Sequence, residues 1–227
     1  MYKKIGVISA VSDESEPFFK RMQTKSVTKK GVWEVREGEL AGKSAAVLFG
    51  GVCRANSAAA VQMLIDCFDV DAVIMSGTAG AMAPEPRIGD VIIVTETCCH
   101  DIPSGTLRMF FPFIKDEVFV PDDYLLECAK KSGKKLPIRQ FYGRSVSGEF
   151  FVADKGRDEI NRRFSPMCVD METAGVAQIC FLNKIPFLAV RAISDTEAES
   201  GISTFEQNLK KASQNACEAV MSIIEEI

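Results

Sequence analysis

The chain is 227 residues long, 47% of them hydrophobic, and its 31 acidic against 27 basic side chains leave a formal net charge of −4. This composition supplies a buried core easily and excludes a disordered chain. An acidic balance with dispersed Lys and Arg argues against a nucleic-acid backbone as partner.

The length fits one domain spanning residues 1–227, and no compositional shift marks an internal boundary. At the N-terminus Lys3 and Lys4 precede only a short apolar run, residues 5–11, before Ser12, Asp13 and Glu14. That run is too short for a signal-peptide core or a bilayer span. The eight cysteines include no C-x-x-C pair, and Cys67, Cys128, Cys180 and Cys217 fall in helical apolar patterns. They read as buried free thiols of a reducing compartment, so a cytoplasmic protein without membrane contact is expected.

In chain order, apolar runs rich in β-branched residues predict strands at residues 5–11, 44–49, 72–76, 90–97 and 186–193, each buried on both faces. Helical periodicity predicts helices at 56–68, 122–131, 172–182 and a closing one at 203–226. The alternation indicates an α/β fold with helices covering a central sheet. Glycines mark three strand ends: Gly50-Gly51 after the second, Gly77-Thr78-Ala79-Gly80 after the third and Gly89 before the fourth. Ligands in such sheets sit beyond the carboxyl ends of strands, so the first two loops predict a pocket. Residues 100–121, with Pro103, Pro112 and Pro121 among aromatics, predict an irregular excursion over the site or at a subunit interface.

Several familiar motifs fail. Gly42-Lys43-Ser44 ends like a phosphate-binding loop, but Glu37 stands where that loop needs glycine, and a strand follows instead of a helix. The first strand carries a single glycine, Gly6, which gives a dinucleotide cofactor no support. With His100 as the single histidine, neither a Ser-His hydrolase nor a zinc site is indicated. His100 reads as structural or pocket-lining, and no metal or organic cofactor is expected.

Three acids stand where strands end or helices begin: Glu14, Glu172 and Asp195. Taken singly, each reads as a helix-terminus charge or cap. Taken together they fall in five segments: residues 5–14, the Ser76-Gly77-Thr78-Ala79-Gly80 loop, residues 146–152, Val169-Asp170-Met171-Glu172-Thr173-Ala174 and Arg191-Ala192-Ile193-Ser194-Asp195. In this order they resemble the 5′-methylthioadenosine/S-adenosylhomocysteine nucleosidases, within a superfamily that also holds purine and uridine phosphorylases.

The resemblance implies a three-layer α/β sandwich around a mixed sheet, and hydrolysis of the N-glycosidic bond of an adenosine-type nucleoside. By the same resemblance Asp195 is the acid toward purine N7, oriented by Ser194, and Glu14 activates the attacking water. Glu172 holds the ribose hydroxyls, Met171 packs on the sugar, Phe151 stacks on the purine and the Val152 backbone reads its edge. Thr78, Ala79 and Gly80 form the wall near sugar and base. A small-molecule purine nucleoside is the implied partner, and a homodimer completes the pocket. Val11, Asp13 and Thr78 depart mildly from the family's common residues, and residues 100–121 do not align, which leaves the 5′ substituent and the purine open.

Two other functions remain. A phosphorylase needs cations around its anion, and Arg54 is the one basic residue near a predicted pocket loop, although it reads more simply as a solvated residue before a helix. A non-catalytic nucleoside-binding module would keep the fold without turnover.

Overall fold

The computed structural model describes residues 2–153 and 156–227, and its strands share one mixed sheet. The first half runs β1 (Ile5–Ser9), α1 (Ser12–Arg21), β2 (Gln23–Lys30), β3 (Trp33–Leu40), β4 (Lys43–Phe49), α2 (Arg54–Phe68) and β5 (Ala72–Ala81). Next come β6 (Val91–Cys99), the short α3 (Thr106–Phe110), α4 (Asp123–Gly133), β7 (Gln140–Ser147) and α5 (Arg157–Phe164). The chain closes with β8 (Cys168–Asp170), α6 (Thr173–Asn183), β9 (Phe187–Asp195) and α7 (Ile202–Glu226).

Strand order is β2-β3-β4-β1-β5-β8-β7-β6-β9, and β9 also pairs with β5, so five strands curl into a closed ring beside the flatter half. Strands β4, β1, β5 and β9 run parallel. Their side chains alternate between two cores, as strand geometry requires. Ile5, Val7, Val47, Ile74 and Leu188 face α1, α4 and α7, whereas Ile8, Leu48, Val73, Met75 and Ala189 face α2 and α6. The result is a single-domain α/β fold of three layers.

The predicted core strands and main helices are present, with three corrections. The glycine-bearing stretch Gly77-Thr78-Ala79-Gly80 is no loop: it lies inside β5, because β9 pairs with it as far as Gly80 opposite Asp195. Strands β2 and β3 form an antiparallel edge hairpin that apolar patterning misses, since β2 is polar and largely exposed. Cys67 is exposed, unlike buried Cys128, Cys180 and Cys217, because its position on α2 faces outward.

Phe18 of α1 is completely buried in the core shared with α7. Truncating it leaves a large cavity in a close-packed interior. Phe18→Ala is expected to lower unfolding free energy by about 3–5 kcal/mol in urea titration, and a loss below about 1 kcal/mol would contradict this packing.

Candidate active site

At the carboxyl ends of β1, β5 and β9 lies a cavity of about 180 Å³. Its wall includes all ten residues singled out from sequence: Glu14, Thr78, Ala79, Gly80, Phe151, Val152, Met171, Glu172, Ser194 and Asp195. Segments up to 181 positions apart thus meet in one place, because parallel strands deliver their ends to the same edge.

Glu14 sits in the first turn of α1 and is 2% exposed. Its Oε2 accepts from the amides of Ala10 (2.8 Å) and Val11 (3.2 Å), and Oε1 from the amide (2.7 Å) and hydroxyl (2.8 Å) of Thr78. The residue is therefore a helix-start acid and a cavity acid at once. Beside it, a Cβ on Gly77 would lie 2.8 Å from both Glu14 Oε1 and Arg191 Nη1, so only glycine leaves room for this pair.

Arg191 and Asp170 were not among the predicted site residues, yet they organise the second acid. Arg191 is fully buried in β9 and donates from Nη2 to Glu172 Oε2 at 3.0 Å, while its Nε lies 3.4 Å from Asp170 Oδ2. Among the described residues its Nη1 finds no hydrogen-bond partner, and it lies toward Glu14 across Gly77. A guanidinium in an otherwise apolar strand buried on both faces was the available sequence signal. Asp170 accepts from the hydroxyls of Ser145, Ser147 and Thr173 and from the amides of Glu172 and Thr173. Burial alone would raise its pKa, but Arg191 and these donors hold the carboxyl below the usual carboxylate range.

Glu172 precedes α6, and its Oε1 accepts from the Cys53 amide at 3.1 Å. Burial, helped by the nearby Asp170 and Glu14 carboxylates and opposed by Arg191, pushes its pKa up to about 7.

Asp195 ends β9 and is 2% exposed. Ser194 donates to its Oδ1 at 2.8 Å, and a Cβ on Gly80 would come within 2.8 Å of Oδ2. Burial raises the Asp195 pKa, with the Ser194 hydroxyl and the Arg157 charge acting in the opposite direction. A proton is thereby retained to higher pH than on a solvated aspartate.

The apolar wall holds Val52, Phe150 and Phe205 besides Phe151, whose ring meets Phe205 edge-on at 6.2 Å. These were not predicted, since single aromatics read equally well as core. Residues 100–121 do not line the cavity, so within one chain they form no cover over the site. His100 is buried against the edge of Phe150 and packs on Gly148, outside the cavity wall. The solvated reading of Arg54 is wrong: its side chain is 17% exposed and bridges Asp101 (2.8 Å) and Glu149 (2.7 Å). Among the described residues no group of three or more His, Cys, Asp or Glu could hold a metal ion.

The family model described as "Phosphorylase superfamily" matches residues 4–225. A 5′-methylthioadenosine/S-adenosylhomocysteine nucleosidase of Actinobacillus succinogenes is 34% identical over 99% of each chain. The chain belongs to this nucleosidase family. The family's enzyme from Neisseria meningitidis, solved in complex with methylthio-immucillin-A, superposes with a TM-score of 0.91 at 31% identity, covering 99% of this chain and 100% of that one. The one from Colwellia psychrerythraea, solved in complex with adenine, also gives 0.91, at 26% identity over 100% of this chain and 96% of that one.

The raised Glu172 pKa has a consequence for stability. Between pH 4.5 and about 7 the folded chain holds a proton that the unfolded chain has released, so this group's contribution is full below 4.5 and lost as pH rises to 7. Glu172→Gln removes that dependence. Relative to wild type, the Gln variant is expected to gain on the order of 1–3 kcal/mol in urea unfolding between pH 4.5 and pH 8. A pH-independent difference would show that Glu172 titrates normally.

Proposed function

We propose that the chain hydrolyses 5′-methylthioadenosine, S-adenosylhomocysteine or a close relative to free purine and a 5-substituted ribose. The enzyme is an N-glycosidic bond hydrolase acting on adenosine-type nucleosides, as its family membership and full-length similarity to nucleosidases imply. The observation that carries the residue assignment is a buried acid, Asp195, sharing one small cavity with Glu14 and with the Glu172–Arg191 pair.

In this reading protonated Asp195 donates to purine N7 as the bond from the anomeric carbon to N9 breaks, its electron pair leaving with the purine. Water adds its oxygen to the anomeric carbon and passes a proton to Glu14. Three of Glu14's four donors are main-chain amides and are fixed; the Thr78 hydroxyl can rotate and yield its place to the water. Arg191 Nη1, an unpartnered donor near Glu14, is placed to hold that water's oxygen. Glu172 accepts from ribose hydroxyls, Met171 packs on the sugar, Phe151 stacks on the purine and the Val152 backbone meets its edge. The apolar side chains of Val52, Phe150 and Phe205 suit an uncharged thioether at the 5′ position.

Hydrolysis is favoured over phosphorolysis by charge. Glu14, Asp170, Glu172 and Asp195 line the cavity with Arg191 as its single guanidinium among the described residues, and that guanidinium is already shared with Asp170 and Glu172, so a phosphate would find no uncommitted cation there. Arg54, the other candidate cation, is held by two carboxylates of its own. The proposal extends to a single functional domain over residues 1–227 that works as a cytoplasmic homodimer. Exposed Met109, Phe110 and Phe113 support a pairing surface, and no described helix is long and apolar enough to cross a membrane.

Release of adenine from 5′-methylthioadenosine is expected without phosphate and unchanged by adding it, with free 5-methylthioribose as the sugar product by mass. Asp195→Asn is expected to cut kcat by about 10²–10⁴ while still binding the nucleoside. Strict phosphate dependence would make the enzyme a phosphorylase; normal turnover in Asp195→Asn would remove the assigned acid, and affinity with no turnover in wild type would leave a binding module.

A further inference from the structure

A second arginine stands behind the acid, outside the cavity. Arg157, the first residue of α5, is 3% exposed. Its Nε donates to Ala153 O at 3.0 Å, its Nη1 donates to Ala81 O, and its Nη2 has no hydrogen-bond partner among the described residues. Among the described residues it forms no salt bridge, unlike the other buried arginine, Arg191. A buried guanidinium without a carboxylate partner among the described residues is destabilising in itself, and a fixed charge set beside an ionisable group is one way an active site tunes its acid.

Its location is beside the strand pair that holds Asp195. Ala81 follows Gly80, which is the register partner of Asp195 and carries Asp195 Oδ2 against its backbone. Arg157 therefore grips the last carbonyl of β5 one residue beyond the strand pair that holds the acid. Arg157, Ala81 and Thr196 also wall a separate cavity just beyond the ends of these two strands.

We propose that Arg157 is a positioning residue whose buried positive charge stabilises the Asp195 carboxylate formed when the acid gives its proton to the purine. This rests on the reading of Asp195 as the acid. The other charged groups are accounted for. Glu14 from α1, Asp170 from β8, and Glu172 before α6 cluster with Arg191 of β9 across the active cavity. Arg87, Glu197 and Glu199 line the outer cavity with Arg157. Against burial, Ser194 and Arg157 are the groups that favour ionised Asp195. A Ser194 hydrogen bond alone orients the acid; the added cation makes it a stronger one, so the proton leaves more readily.

The test is the pH dependence of kcat for adenine release from 5′-methylthioadenosine in wild type, Arg157→Gln and Arg157→Met, with melting temperature as the check on folding. Gln retains a donor for the Ala81 carbonyl but not the charge. Both neutral variants are expected to lose about tenfold in kcat where Asp195 is protonated, and their alkaline limb is expected to move to higher pH because the acid holds its proton longer. A limb at the wild-type position in a folded neutral variant would overturn the proposal, whatever the loss of kcat. If neither neutral variant folds, Arg157→Lys decides: its shorter arm displaces the charge, so a partial shift in the same direction supports the role and an unmoved limb overturns it. Asp195→Asn run alongside separates the two readings. Turnover retained there removes Asp195 as the acid, whereas turnover lost there with an unmoved Arg157 limb removes only the role of Arg157.

Discussion

The ion pair between Arg191 and the Asp170–Glu172 carboxylates is the interaction on which the site depends. Several acids converge on a cavity of about 180 Å³, and like charges at that range, in a low-dielectric interior, repel strongly. One fully buried guanidinium between them offsets part of that repulsion. Asp170 is further satisfied by three hydroxyls and two amides, which makes it the fixed anion of the group. Glu172 receives less and is pushed up to about 7. Two carboxyls two residues apart thus acquire different character, because the donors around Asp170 and the charge of Arg191 outweigh its burial whereas burial dominates at Glu172.

Backbone space is the second constraint. Strand β5 carries Gly77 and Gly80 where a strand would ordinarily prefer branched residues, and each faces a buried carboxylate of the cavity, Glu14 or Asp195, at a distance no Cβ allows. The strand is weakened locally, but it is central, paired by β1 and β9 over most of its length, and can carry that weakness. A rigid central strand also positions an acid more accurately than a loop would.

Much of the fold was legible because core strands buried on both faces announce themselves by composition: residues 5–11, 72–76 and 186–193 could be little else. The β2–β3 hairpin was not legible, since an edge strand such as Gln23–Lys30 is polar on both sides and its pairing comes from a neighbour, not from its own pattern. The same limit applied to the Gly77–Gly80 stretch. Glycines there read locally as a turn, and it is pairing with β9, more than a hundred residues later, and at Gly80 with β8 as well, that holds them extended.

For the site, the sequence by itself determined the acids, the small residues around them and the family those segments resemble, because each of these is a matter of residue type and local order. It also contained Arg191, Asp170 and Arg157; a guanidinium in an apolar run set Arg191 apart, but nothing local distinguished Asp170 or Arg157 from the other charged residues. Tertiary structure alone decided that Arg191 and Arg157 are buried while Arg54 is neutralised by Asp101 and Glu149, and that residues 100–121 stay off the cavity. The reason is physical: an ionisable side chain's role depends on its desolvation and its nearest opposite charge, and both are set by contacts between segments far apart in the chain.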